Sequence, residues 1–130
     1  MKQAVCVLIK AGEYYLAVTR LDSKMSGLVG GKVDPGETTL QAIVREVQEE
    51  VGLSLNPSWL REVFTQVCPG EVDYLTTTYT YPDMSLSEIS KIVAEDGLIA
   101  VLISKKSLCD NKVSPFADYN RSLFAAMEKL

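Results

Sequence analysis

Histidine is absent from this sequence of 130 residues, and cysteine is scarce. The three cysteines, Cys6, Cys68 and Cys109, are far apart and form no CxxC pair. Structural zinc sites are built from closely spaced cysteines and histidines, so we do not expect one here. An odd number of scattered thiols fits a reducing compartment best, and we therefore expect a cytoplasmic protein.

The sequence also lacks a long apolar run and a dense basic cluster. The apolar start, Ala4 to Ile9, is too short for a signal peptide or a membrane span and is interpreted as a strand. The net charge is −4, so we expect neither a nucleic-acid polymer nor a membrane as partner. A phosphorylated small molecule remains compatible, because bound metal ions can bring the positive charge that an acidic chain lacks.

Length and composition predict a single domain over residues 1–130. A chain of this size can bury a sizeable core but is too short for two domains. The hydrophobic content of 47% and the charged content of 23% are ordinary for a folded protein. No repeat, linker or low-complexity segment divides the chain.

The most informative stretch runs from Gly30 to Leu53 and reads GGKVDPGETTLQAIVREVQEEVGL. Asp34-Pro35-Gly36 predicts a turn. Thr38 and Gln41 then form a capping-box pattern, which predicts a helix over residues 38–51. Gly52 is typical of the position just past a helix end.

Three carboxylates fall on one side of this predicted helix. Its apolar residues form a stripe that faces a core, and Glu46, Glu49 and Glu50 occupy an adjacent arc. Such a group repels itself unless a cation neutralises it, and oxygen ligands suit Mg²⁺ or Mn²⁺. The alternative is a solvated acidic face without a function.

The same stretch resembles the Nudix hydrolase family, whose box runs G-x5-E-x7-R-E-U-x-E-E-x-G-U, with U a bulky aliphatic residue. Residues 31–53 match it without departure, at Gly31, Glu37, Arg45, Glu46, Val47, Glu49, Glu50, Gly52 and Leu53. The resemblance implies a metal-dependent hydrolase of phosphoanhydride bonds. The box is a strong signal for the family, but it does not identify the substrate.

The resemblance also implies roles for residues of the box. The Gly31 carbonyl and the side chains of Glu46, Glu49 and Glu50 are expected to bind the metal ions. Arg45 is expected to hold a box glutamate in place, and Glu37 to brace Arg45 and the loop or to contact substrate; a plain helix N-terminal carboxylate explains Glu37 equally well.

The general base is left open by the sequence. The resemblance implies that this role belongs to a box glutamate or to an acidic residue outside the box, so Glu46 or Glu49 is favoured and Glu95 is the further candidate, as a base or an extra metal ligand. Asp96 is the second choice, after Glu95, for an acidic residue outside the box. An ordinary turn explains both residues equally well.

The pattern outside the box predicts a mixed α/β domain. Strands are expected over residues 3–10, 14–20, 59–68, 72–81 and 98–103, with a terminal helix capped by Ser114 and Pro115. The family resemblance implies a Nudix-type α/β/α sandwich, with a mixed β-sheet between helices.

Substrate contacts are predicted from residue chemistry and resemblance. Basic residues, namely Arg20, Lys24 and Lys32, are candidates for phosphate contacts, although a plain charged strand end and loop explain the first two equally. Tyr79 or Tyr81 is a candidate for base stacking, against ordinary sheet packing. Asp118 and Asn120 are candidates for base contacts, although the field of a helix N-terminus also explains Asp118.

The expected function is that of a nucleoside triphosphate pyrophosphatase of the MutT type, acting on a small nucleotide as a monomer or a homodimer. A hydrolase of ADP-ribose, dinucleotides or nucleotide sugars is the alternative within enzymes. A non-catalytic nucleotide sensor is the alternative of another class, and the intact box carboxylates argue against it.

Overall fold

The computed structural model of the protein describes residues 1–130. The eight strands are β1 (Lys2–Leu8), β2 (Lys10–Ala11), β3 (Tyr14–Arg20), β4 (Ser26–Leu28), β5 (Gly30–Lys32), β6 (Arg61–Cys68), β7 (Tyr74–Thr80) and β8 (Leu98–Ile103). The four helices are α1 (Thr39–Val51), α2 (Leu86–Ile89), α3 (Lys105–Leu108) and α4 (Ala117–Met127). None of the helices is both long and apolar enough to cross a membrane.

The strands form two sheets of four. The first sheet is mixed and has the order β5-β1-β7-β6, in which β1 pairs parallel with β7 and the other pairs are antiparallel. The second sheet is antiparallel, with β3 in its centre and paired to β2, β4 and β8. The predicted strands at the chain start and at residues 14–20 are therefore the central strands of the two sheets.

Helices cover both faces of the mixed sheet because β1 is apolar on both faces. Successive strand residues point to opposite sides. Val5, Val7 and Ile9 belong to the core cluster that contains the buried face of α1. Leu8 belongs to the other cluster, which contains Leu108, Tyr119, Leu123 and Phe124. The mixed sheet thus lies between α1 and α4, which confirms the predicted α/β/α arrangement.

Several predicted element ends are wrong, since the first strand ends at Leu8 and not at Lys10, and β7 spans Tyr74–Thr80 and not residues 72–81. Trp59 does not begin a strand but ends a 3-10 turn, Pro57–Trp59, because Asn56 caps that turn by accepting the Ser58 N–H. Ser114 does not cap the terminal helix. Its hydroxyl accepts the Phe116 N–H within a preceding turn, and α4 starts at Ala117 without a side-chain cap.

Candidate active site

Helix α1 carries the predicted acidic side chains, and its two ends are fixed as the sequence predicts. The Thr38 hydroxyl accepts the Gln41 N–H at 3.1 Å, and the Gln41 side chain accepts the Thr38 N–H at 2.9 Å. Gly52 ends the helix in the left-handed conformation at φ 69°. Burial of Ile43, Val47 and Val51 fixes the rotation of α1 about its axis and leaves the carboxylates beside strand β5.

Arg45 binds the surrounding carboxylates through its planar guanidinium group. Its Nε and one terminal nitrogen donate to the two oxygens of Glu37 at 2.8 and 2.9 Å. Its other terminal nitrogen donates to Glu46 at 3.0 Å and to Glu49 at 3.1 Å. A further bond reaches the Lys32 carbonyl at 2.9 Å. Arg45 therefore ties α1 to the loop that precedes it, and the bidentate pair with Glu37 needs the fork geometry of arginine.

The carboxylate of Glu46 lies directly against the backbone of Gly31. A Cβ at Gly31 would be 2.5 Å from Oε2 of Glu46 and 2.6 Å from Oε1. The Glu46 side chain is only 15% exposed, and this partial burial raises its pKa against the opposing effect of Arg45. The Glu46 carboxylate in this position therefore leaves no space for a side chain at position 31.

Among the three glutamates, Glu50 is the one whose negative charge is not paired with Arg45. Its Oε1 accepts the Gly30 N–H at 2.8 Å. Burial, with additional repulsion from Glu46, Glu95 and Glu49, raises the pKa of Glu50 to about 7. A carboxylate in this environment has no positive partner in the chain, so a bound cation would stabilise its charged form.

These residues fit a divalent metal ion by their donor chemistry. Carboxylate oxygens of Glu46, Glu49 and Glu50 lie on one face, beside a glycine whose missing side chain leaves room for Glu46. In this structure the side chains do not converge on one point, and no three acidic side chains are arranged around a common ion position. Arg45 holds two of the three carboxylates and the Gly30 N–H holds the third. Metal binding therefore requires these side chains to turn toward a common ion.

Glu95 lies at the edge of the same acidic group. Its backbone N–H donates to the carbonyl of Glu50 at 2.8 Å, which places the turn before β8 against the end of α1. The Glu95 side chain is exposed, as is that of Asp96. Glu95 thus lies next to the residues that are candidates for metal binding. Its role as a base or a metal ligand stays a prediction.

A cleft of about 470 Å³ opens beside Gly30 and Gly31. Three of the predicted substrate-binding residues line it, namely Arg20, Lys32 and Asn120. Its other walls come from residues that the sequence did not single out, including Tyr74, Phe116, Tyr119, Cys6 and Cys68. The cleft is therefore partly aromatic and apolar, as is usual for a small-molecule site.

The two cations at the cleft differ in their surroundings. Arg20 is held by Asp22 through two hydrogen bonds, at 3.0 and 2.8 Å. The Lys32 ammonium group lies 5.7 Å from the centre of the Tyr74 ring. Lys24 is exposed on the loop after β3 and does not line the cleft. Lys32 is therefore the cation best placed to meet a ligand without first leaving a carboxylate.

Asn120 and Asp118, both predicted base contacts, differ in position. Asn120 is buried, and its amide nitrogen donates to the Leu108 carbonyl at 2.8 Å. Because a carbonyl can only accept, this bond fixes the amide orientation and leaves Oδ1 as the group available to a ligand. Asp118 is exposed, forms an ion pair with Arg121 and does not line the cleft.

Two aromatic candidates for base stacking need correction, and the contacts of Glu37 favour one of its two predicted roles. Tyr79 is 6% exposed and belongs to the core beneath α1, where its hydroxyl lies 2.7 Å from that of Thr39, so it cannot stack on a base. Tyr81 packs on Trp59 and accepts the Asn56 N–H, away from the cleft. Glu37 is occupied by Arg45, which favours its bracing role over a substrate contact.

Comparison with known proteins gives a consistent result. The sequence model of the NUDIX domain matches residues 1–107. A protein of Bacillus subtilis (strain 168), to which an 8-oxo-dGTP diphosphatase function has been attributed, is 41% identical over 49 residues. That match covers 38% of this chain and 33% of the relative, so the chain matches only about a third of the relative's length.

Solved structures share the fold. The Escherichia coli ORF135 protein matches with a TM-score of 0.73 and 22% identity, over 98% of this chain and 91% of that one. The MutT protein of Methanosarcina mazei Go1 matches with a TM-score of 0.71 and 18% identity, over 95% and 93%. A bifunctional NMN adenylyltransferase/ADP ribose pyrophosphatase of Francisella tularensis, solved with AMP and a Mn ion, matches with a TM-score of 0.72 and 21% identity, over 98% and 41%.

Proposed function

The chain belongs to the Nudix hydrolase family, and from this premise we propose that it is a metal-dependent nucleoside triphosphate pyrophosphatase that releases a nucleoside monophosphate and pyrophosphate. The observation that supports the proposal most is the group formed by Glu46, Glu49 and Glu50 beside Gly31, a residue that also lines a cleft large enough for a nucleoside. The function attributed to the Bacillus subtilis relative also concerns a nucleoside triphosphate.

Magnesium is the ion we propose, with manganese as the alternative. Glu46, Glu49, Glu50 and the Gly31 carbonyl would hold it, and Glu95 is a further candidate ligand. When bound, such an ion neutralises charge on phosphate oxygens and makes water more acidic. The half-buried carboxylates beside it are stabilised in their charged form by the same positive charge.

Arg45 acts through the carboxylates that it holds. It carries the positive charge nearest to the group, but all its donors already bind Glu37, Glu46, Glu49 or the Lys32 carbonyl. We therefore assign it a positioning role.

Deprotonation of the attacking water is assigned to Glu49. Its side chain is 52% exposed, against 15% for Glu46, so water reaches it more easily. A general base has to lie within hydrogen-bond reach of the water that it activates. Glu46 and then Glu95 are the next candidates, and single glutamine variants of the three rank them by loss of kcat.

The nucleoside part of the substrate is proposed to lie in the cleft. Lys32 would contact a phosphate group, and Arg20 would do so after exchanging Asp22 for the ligand. Asn120 offers an acceptor, Oδ1, to an N–H group of the base. The half-exposed ring of Phe116 offers an apolar surface at the same place.

Hydrolysis of ADP-ribose is the second candidate, favoured by the similarity to the Francisella tularensis protein, which is an ADP ribose pyrophosphatase in one of its two functions. The two activities give different products. A nucleoside triphosphate yields pyrophosphate, which inorganic pyrophosphatase converts to phosphate, whereas that enzyme leaves the products of ADP-ribose hydrolysis intact. ADP-ribose yields two phosphomonoesters, which release phosphate only after alkaline phosphatase is added.

The test is a panel of nucleoside triphosphates, including 8-oxo-dGTP, assayed with Mg²⁺ and inorganic pyrophosphatase, together with ADP-ribose and dinucleotides, assayed with Mg²⁺ and alkaline phosphatase. Glu50→Gln is the inactive reference, because glutamine can still accept the Gly30 N–H while losing the charge. Glu13→Gln, on an exposed turn, is the matched control and should keep full activity. Equal rates for Glu50→Gln and the unchanged protein would contradict the metal site, and tight binding without turnover would favour a nucleotide sensor.

A further inference from the structure

The floor of the cleft contains a chain of hydrogen bonds that joins three elements. Cys6 Sγ of β1 lies 3.1 Å from Oγ1 of Thr78 in β7. Oγ1 of Thr78 lies 2.7 Å from the Tyr119 hydroxyl of α4, which donates to the Thr76 carbonyl at 3.1 Å. Cys6, Thr76 and Tyr119 all line the cleft, while Thr78 lies fully buried behind them.

The donor and acceptor of each of these hydrogen bonds follow from the last acceptor, the Thr76 carbonyl. A carbonyl oxygen can only accept, so the proton of Tyr119 is used by Thr76. The Thr78 hydroxyl must then donate to Tyr119, and the Cys6 thiol must donate to Thr78. The bonds therefore run one way, from β1 through β7 to α4 and back to β7, and each polarises the next.

These hydrogen bonds fix the start of α4 to the rest of the fold. Helix α4 starts at Ala117, and no side chain accepts a hydrogen bond from its first N–H groups. Its first turn is held instead by the bonds of Tyr119 to β7 and of Asn120 to the Leu108 carbonyl. The Tyr119 ring also packs edge-to-face on Phe64, at 5.5 Å between centroids.

This first turn of α4 is also the cleft wall. Three residues at the start of this helix line the cleft, namely Phe116, Tyr119 and Asn120. A displacement of the helix start therefore moves the aromatic surface and the Asn120 acceptor together.

We propose that Tyr119 is a positioning residue for nucleoside recognition, which acts by fixing the cleft wall of α4 to strand β7 through Thr78 and Thr76. This inference rests on the proposed function, which supplies the assumption that the ligand contains a nucleoside. It does not depend on the metal site. It assigns to Tyr119 an effect on binding of the nucleoside and none on the chemical step, because the Tyr119 hydroxyl bonds to β7 and to none of the carboxylates of α1.

The test uses Tyr119→Phe, which removes the hydroxyl and keeps the ring. We expect KM for the best triphosphate to rise roughly three- to ten-fold, the change that corresponds to one neutral hydrogen bond, while kcat stays unchanged. Thr78→Val should raise KM similarly and Thr78→Ser should not. The double variant Tyr119→Phe/Thr78→Val should be no worse than Tyr119→Phe alone, because Tyr119→Phe already removes the bond to Thr78.

Tyr81→Phe is the control for a purely structural effect. Its hydroxyl accepts the Asn56 N–H, and none of Tyr81, Trp59 and Asn56 lines the cleft. This variant should lower the melting temperature without a change in KM. If Tyr119→Phe lowers the melting temperature but leaves KM unchanged, or lowers kcat alone, the inference is wrong.

Calorimetric titration with dGMP and with AMP, without metal, separates this inference from the proposed function. If the unchanged protein hydrolyses no triphosphate but binds one of these monophosphates, and Tyr119→Phe weakens that binding, the inference holds and the proposed function fails. If hydrolysis occurs and Tyr119→Phe leaves both KM and monophosphate binding unchanged, the proposed function holds and the inference fails. Absence of monophosphate binding to the unchanged protein together with absence of turnover overturns both.

Discussion

The carboxylate of Glu46 occupies the space where a side chain on Gly31 would begin. A Cβ at Gly31 would lie 2.5 and 2.6 Å from the two oxygens of Glu46, far inside van der Waals contact. Glu46 is also held by Arg45, so it cannot move aside without breaking that bond.

Replacement of Gly31 by alanine should therefore displace the Glu46 carboxylate. A shift of about 1 Å in a catalytic group can lower the rate about 100-fold, and we expect a fall in kcat of that order. Gly12→Ala is the control, since Gly12 has φ +65° with no atom within 4 Å of the added Cβ. It should cost roughly 1 kcal/mol of stability and keep its activity. Equal kcat values for the two variants would show that the position of Glu46 is unimportant.

Arginine at position 45 should not be replaceable by lysine. An ammonium group cannot bind both oxygens of Glu37 and also reach Glu46 and Glu49, as the guanidinium does. We expect Arg45→Lys to lose about 10- to 100-fold in activity or in affinity for Mg²⁺, the usual cost of losing a group that orients metal ligands. A magnesium titration of activity measures both. Arg61→Lys, on the exposed edge strand β6, should behave as the unchanged protein. A similar loss of activity in that variant would show that the effect is not specific to the contacts of Arg45.

The pair of Glu37 and Arg45 should make the protein sensitive to acid. The hydrogen bonds from Arg45 lower the pKa of Glu37 from 4.5 to about 2. A lowered folded-state pKa means that the stabilisation is present above the unfolded value and is lost as the pH falls toward the folded value. The free energy of unfolding should decrease between about pH 5 and pH 2, and Glu37→Gln should make that decrease shallower. Urea unfolding across this range measures it, and parallel curves for the two proteins would contradict the linkage.

Tyr79 should contribute to stability and not to substrate binding. Its hydroxyl lies 2.7 Å from that of Thr39 at the start of α1, and the ring is buried beneath the helix. Tyr79→Phe should lower the free energy of unfolding by about 1 kcal/mol, the net contribution of one buried hydrogen bond, with no change in KM. Urea unfolding and steady-state kinetics check the two parts, and an increased KM would return Tyr79 to the candidate substrate contacts.

The burial of Tyr79 illustrates which information was missing from the sequence. Strand β7 contains Tyr74 and Tyr79, and Tyr81 follows directly after its last residue. Pairing of β7 with β1 sets which face each one occupies, and a shift of one residue would exchange the faces. Tyr74 therefore lies at the cleft with Thr76, whereas Tyr79 lies under α1. Composition alone favoured the wrong tyrosines.

The sequence by itself determined helix α1, its two caps and the grouping of Glu46, Glu49 and Glu50, because hydrogen bonds and side-chain neighbours within a helix depend only on residues up to four positions apart. Only the tertiary structure decided which residues surround the cleft, since Gly31, Tyr74, Phe116 and Tyr119 are distant in the chain and meet through strand register and helix packing. It also decided the partners of Arg45, because the loop that carries Glu37 and the Lys32 carbonyl reaches the guanidinium only after β5 pairs with β1.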